Sequence, residues 1–130
     1  TVVLDGAHNP SAAEALEQAL EMLYPGRAAH FVFGVLADKD HLAILRALGP
    51  RAASFHLTPL PSPRSLAPDR YVEAARAVAP HVRTYGGPLE ALEGARHSAG
   101  PDGLIVITGS LFLVGALRPH LCRSREVSLD

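Results

Sequence analysis

The sequence predicts an α/β fold: an open, mostly parallel, Rossmann-like sheet flanked by helices on both faces. Three observations carry that expectation. Repeatedly, an apolar, β-branched or aromatic segment runs into a segment of helical period. The run GLIVIT (103–108) is apolar without alternation, the pattern of a strand buried on both faces. The connections are short, and strand–helix alternation with short connections implies right-handed crossovers between parallel strands.

The first strand is TVVLD (1–5). Its helix has Asn9 as N-cap and Pro10 at the first helical position, a favoured pairing. Ala12, Leu16, Ala19, Leu20 and Leu23 recur at helical spacing, and Pro25-Gly26 stops them. The second strand is HFVFGVL (30–36). Asp38 or Asp40 caps the next helix, whose stripe is Leu42, Leu45 and Leu48 and whose end is Gly49-Pro50. ASFHL (53–57) is the third strand, and the proline-rich TPLPSPRSLAP (58–68) must be loop. A helix from about Asp69 to Ala79 places Tyr71, Val72, Ala75 and Val78 inward. HVRTY (81–85) is a short strand, followed from Gly86-Gly87-Pro88 by a helix with Leu89, Leu92 and Ala95 inward. After GLIVIT, Gly109-Ser110 turns into a last helix carrying Leu111, Val114 and Leu117, ended by Pro119.

Composition narrows the function classes. The chain has 130 residues, 48% hydrophobic and 19% charged, with a formal net charge of −1, which suits one globular domain and lacks the basic face a nucleic acid needs. The single cysteine, Cys122, makes an internal disulfide impossible and fits a reducing cytoplasm. No apolar run approaches the roughly 18 residues of a membrane span. Residues 1–121 are expected to form one domain and 122–130 a tail, either an edge strand or disordered. The chain opens directly on a strand, so it is expected to be a domain excised from a longer protein.

In such a sheet, ligands bind outside the carboxyl ends of the strands. The loops there hold Asp5 to Asn9, Asp38 to Asp40, Thr58 to Arg64 and Thr108 to Ser110. Each has a plain structural role available: Asn9 and Ser110 as helix caps, Asp38 and Lys39 as a cap beside a solvated lysine, Asp5 and His8 as turn residues. Each also has a ligand role. A carboxylate such as Asp5 at the end of a first parallel strand suits a ribose diol. The imidazole of His8 can accept or donate one hydrogen bond to a ligand. Gly109 and Ser110 can present N–H groups and a hydroxyl to an anion. His30, His41, His56, His81, His97 and His120 show no metal-ligand spacing and read as surface or strand-filling residues. Neither G-x-x-x-x-G-K-[ST] nor G-x-G-x-x-G is present.

LDGAHNP (4–10), FGVLADKD (33–40), TPLPSPRSLAPD (58–69) and ITGSLFLVG (107–115), in that order, resemble the C-terminal domain of the folylpolyglutamate synthase family, often bifunctional as dihydrofolate synthase, within the ATP-dependent Mur ligases. The resemblance runs from the first strand to about Leu121. The peptidoglycan-type Mur ligases are the nearest alternative. Their AHNP element usually follows a tyrosine, where Gly6 stands here, and they carry a GKGHE-like segment that this chain lacks. A free-standing α/β nucleotide-binding module is the other alternative.

The resemblance implies an acid–amino-acid ligase acting through an acyl phosphate, with ATP and Mg2+ as cofactors, L-glutamate and folate or dihydropteroate as substrates, and a cytoplasmic location. It implies that Asp5 binds ATP through the ribose, that His8 is catalytic and lies in the cleft near the glutamate or the phosphates, and that Ser110 binds glutamate. Asp38 and Lys39 match a family motif without an assigned role. No metal ligand is expected on this chain. The magnesium ligands and phosphate-binding loop are expected on a separate N-terminal ATPase domain, which would be the partner of this one and without which it would be inactive.

Overall fold

In a computed structural model of the chain, residues 1–121 and 126–128 are described. Cys122 and part of the expected tail lie outside the described residues. Six strands form one sheet in the order β4-β3-β2-β5-β1-β6. They are β1 (Val2–Leu4), β2 (Ala29–Phe33), β3 (Ala52–Leu57), β4 (Val82–Thr84), β5 (Leu104–Thr108) and β6 (Glu126–Ser128). Every pairing in the sheet is parallel. The helices are α1 (Pro10–Leu23), α2 (His41–Leu48), α3 (Val72–Arg76), α4 (Pro88–Ala99) and α5 (Leu111–Leu117).

Strand alternation sends side chains to two separate cores. Val3, Phe31, Phe33, Phe55, Leu57 and Val106 meet α1, α2 and α3 on one face. Leu4, Val32, Ile105 and Ile107 meet α4 and α5 on the other. β5 lies between β1 and β2, so α1 must cross over it on the first face while α5 leaves it on the second. The β2 and β5 connections therefore diverge, and the β2/β5 boundary is the topological switch point where such sheets open a crevice.

The local signals explain the helix starts. The Asn9 side chain accepts from the N–H of Ala12 at 2.8 Å, and Pro10 occupies the first turn. Asp40, rather than Asp38, caps α2 by accepting from Ala43 N–H at 3.2 Å.

The structure corrects several boundaries and faces. Leu23, Leu42, Leu89 and Leu111, expected inward, are exposed. Ile44, Ala91 and Leu113 take inward positions instead. The displaced leucines stand in the first or last turn of their helices, where the helix extends past the sheet that would cover it. The third helix is shorter than its periodicity suggests. A 3-10 turn at Pro68–Arg70 precedes it, and Tyr71, drawn into the core at 2% exposure, has non-helical φ of −137°. β2 ends at Phe33 rather than at Leu36. Gly34 to Leu36 leave the sheet for the proline-rich loop, with Leu66 N–H donating to Val35 O at 2.9 Å and an antiparallel bridge between Leu36 and Ser65.

Under α4 a polar chain crosses the sheet. His30 Nδ1, Ser54 Oγ, His56 Nε2 and Nδ1, and the Tyr85 hydroxyl follow one another at 2.7, 2.8 and 2.8 Å. Burial pushes His56 down to about 4, with the nearby His30 and Arg83 adding to the effect. These side chains satisfy one another, which is what burial of polar groups requires.

Candidate functional site

Three loops converge at the switch point. The loop after β1 reaches across to the loop after β5, with Gly109 N–H donating to Ala7 O at 3.0 Å. Gly109 has φ of +107°, and a Cβ there would collide with the carbonyl oxygen of Gly34, in the loop after β2. Only glycine allows this approach. The proline-rich loop braces the β2 loop from outside, with Ala37 N–H donating to Arg64 O at 2.8 Å.

The convergence leaves a cavity of about 180 Å³ lined by His8, Leu36, Lys39, Gly109, Ser110, Leu111 and Phe112. Three of the candidate residues read from the sequence, His8, Lys39 and Ser110, thus face one space. Their hydrogen bonds define what each can still offer. His8 Nδ1 lies 3.0 Å from Gly6 O. A carbonyl oxygen only accepts, so Nδ1 carries a proton and donates it, and in the neutral ring Nε2 keeps a lone pair. Ser110 caps α5 by accepting from Phe112 N–H at 3.0 Å, so its own O–H remains available to donate. Lys39 is half-buried, and none of the four ion pairs among the described residues involves it. The cavity therefore offers one cation, one hydroxyl donor and one imidazole acceptor, the complement of a carboxylate and an amine on one small molecule.

Asp5 and Asp38 do not line this cavity. The Asp5 Oδ1 accepts from Ala7 N–H at 2.8 Å and builds the turn that carries His8. Asp38 is exposed. The apolar wall, Leu36, Leu111 and Phe112, was not legible as a site. Phe112 and Leu111 follow Ser110 directly, and their signal was an apolar pair in a first helical turn. Leu36 enters only because its loop leaves the sheet.

Donor chemistry argues against a metal here. Among the described residues no cluster of three His, Cys, Asp or Glu side chains can hold an ion. An imidazole, an ammonium and a hydroxyl are a poor set for a hard cation such as Mg2+. No helix among the described residues is long and apolar enough to cross a membrane.

A parallel sheet with a polar cavity at its switch point defines a domain class that comparison makes specific. Residues 1–111 match the family "Mur ligase, glutamate ligase domain", and the chain belongs to that family. Its relatives include the folylpolyglutamate synthase of Lacticaseibacillus casei, 37% identical over 92% of this chain, and the dihydrofolate synthase/folylpolyglutamate synthase of Mycobacterium tuberculosis, 38% identical over 91%. The chain spans 27% of the length of each. Among solved structures, Mycobacterium tuberculosis folylpolyglutamate synthase complexed with ADP and AMPPCP superimposes with a TM-score of 0.80 at 38% identity, over 89% of this chain and 28% of that one. Escherichia coli FolC in complex with DHPP and ADP does so with a TM-score of 0.82 at 25% identity, over 95% and 29%.

Proposed function

We propose that residues 1–121 form the glutamate-binding half of an ATP-dependent folate ligase. In this reading the chain works with a preceding ATPase domain that supplies the phosphate-binding loop and the divalent-metal ligands. The observation that carries it is the meeting of His8, Lys39 and Ser110 in one cavity at the switch point. The relatives and the nucleotide complexes of the neighbouring structures support the substrate classes: ATP, L-glutamate, and a folate or dihydropteroate.

The chemistry assigned to this chain is positioning and proton handling. The Lys39 ammonium and Ser110 O–H hold a carboxylate of glutamate. His8 Nε2 faces its amine and accepts a proton as nitrogen attacks the acyl phosphate made with ATP. The C–N bond forms, the C–O bond to phosphate breaks, and inorganic phosphate leaves. Asp5, which directly follows β1 and whose carboxylate builds the turn of His8, contacts the ATP ribose. The exposed Leu42, Leu89, Leu111 and Phe112 all stand at helix starts along this edge. Closure of the ATPase domain over them excludes the water that would hydrolyse the acyl phosphate.

The test is an assay of the full-length protein carrying this chain, with ATP, L-glutamate and either dihydropteroate or a reduced folate. Product lengthened by glutamate, with one phosphate released per addition, is expected. Ser110→Ala is expected to raise the glutamate KM. ATP turnover without any glutamate-containing product would sink the reading.

A further inference from the structure

An aromatic column runs through the first core toward the cavity. Phe31 stacks on Phe55 with ring centroids 5.2 Å apart, and Phe55 meets Phe33 edge-on at 6.1 Å. Phe33 meets Tyr71 at 6.0 Å, and Tyr71 meets His41 at 5.5 Å with the rings tilted by 54°. The column touches the site twice. Phe33 packs beside Gly109, where its ring edge stands 3.0 Å from the position a Cβ would take. His41 begins α2, and its backbone N–H donates to Lys39 O at 3.0 Å. The column thus lies between the loop of Lys39 and the loop of Ser110.

Its last pair is chemically unfinished. The Tyr71 hydroxyl and His41 Nδ1 are both buried, and neither has a hydrogen-bond partner. Burial raises the Tyr71 phenol well above its ordinary range, so it stays a donor. A neutral imidazole protonated at Nε2 presents Nδ1 as an acceptor. Donor and acceptor are complementary, they sit on touching rings, and leaving both unmade is costly. Tyr71 is buried and packed against Phe33, whereas His41 is the first residue of α2, two positions after Lys39 in the segment that leaves β2. The member of the pair attached to the site is therefore His41, through its backbone N–H bond to Lys39 O.

We propose that Tyr71 and His41 are positioning residues for Lys39. When an amino-acid carboxylate engages Lys39, the segment 37–41 settles inward, and the Tyr71 O–H donates to His41 Nδ1. That bond holds the ammonium at the distance from Ser110 that the carboxylate needs. Binding energy at the cavity is thereby coupled to completion of a buried hydrogen bond that is unmade in this structure. This inference rests on the glutamate-binding reading and deepens it.

Tyr71→Phe tests it, because the ring and its packing stay and only the hydroxyl goes. In the full-length protein, the KM for L-glutamate is expected to rise about 5-fold, the equivalent of one lost hydrogen bond. The KM for ATP and the kcat should change little. Thermal stability should hold or rise, since an unpaired buried hydroxyl has been removed. His41→Asn, whose Oδ1 can accept near the Nδ1 position, is expected to bind glutamate better than His41→Leu. An unchanged glutamate KM in Tyr71→Phe, with stability equal or higher, overturns the proposal and leaves Tyr71 a core residue. Equal glutamate KM values for the two His41 variants overturn it as well. Failure of the wild-type protein to ligate glutamate at all is seen separately, and it removes the functional reading and this inference together.

Discussion

The two edges of the sheet are built from the same strands and end differently. At the amino edge the polar groups are spent on one another. The Arg51 guanidinium, 7% exposed, donates to Glu17 at 2.9 Å, to Glu21 at 2.7 Å and to Arg27 O at 2.9 Å. Arg27 in turn donates to Asp102 O at 2.6 Å. The larger cavity is here too, about 480 Å³ beside Thr1, Arg96, His97 and Pro101. At the carboxyl edge the cavity is less than half that size, yet Lys39, Ser110 and His8 all line it, and the Ser110 O–H and His8 Nε2 keep bonding capacity. Volume does not mark the proposed site. Unspent hydrogen-bonding capacity, held in place by spent capacity behind it, does.

The contrast can be broken most severely at Gly109. Gly109→Ala adds a Cβ against Gly34 O at a φ of +107°. It is expected to cost about 3 kcal/mol or more, because strain and overlap with backbone cannot both relax. A urea unfolding curve of the chain checks this. A variant as stable as wild type would show that the three loops need not meet so closely.

The buried polar chain between the two edges gives the next effect. His56 is neutral in the fold with its ordinary value of 6.5 pushed down to about 4. A histidine lowered by folding contributes stability that is complete above its unfolded value and lost as pH falls. Stability should therefore drop between pH 6.5 and 4, by up to about 3 kcal/mol. His56→Gln should flatten that slope when unfolding is measured across the same range.

At the carboxyl edge itself, Lys39→Met is expected to leave the unfolding midpoint nearly unchanged and to lower kcat/KM for glutamate in the full-length protein about 10- to 100-fold, the cost of one charge-assisted contact. At the amino edge the outcome should invert. Arg51→Met should cost about 1–2 kcal/mol through its lost hydrogen bonds to Glu17 and Arg27 O. It should leave the glutamate KM where it was. A change in that KM would mean the two edges are coupled.

Much of the fold was written in short-range pattern. Asn9-Pro10, the Asp38/Asp40 pair and Ser110 announce helix starts because a cap needs only its own next few residues, and the structure selects Asp40. GLIVIT reads as a fully buried strand, and β5 has a strand on each side in the observed order. What failed was graded by distance from such signals. Leu42, Leu89 and Leu111 continue an apolar period, but periodicity cannot say where the sheet stops covering a helix. The end of β2 is not legible in the sequence, because Val35 and Leu36 look like strand and are claimed by a loop some thirty residues later. His30 and His56 read as strand filler, and the structure adds that they satisfy Ser54 and Tyr85.

The candidate site divides in the same way. The sequence alone determined which residues stand at the carboxyl ends of the strands, because strand–helix order and caps are local properties. His8, Lys39 and Ser110 could be listed from it. Only the tertiary structure decided that these three share a cavity while Asp5 and Asp38 do not line it. That outcome depends on β5 inserting between β1 and β2 and on Gly109 lying against Gly34. Strand order and close backbone approach are contacts between distant segments, and no single stretch of sequence carries them.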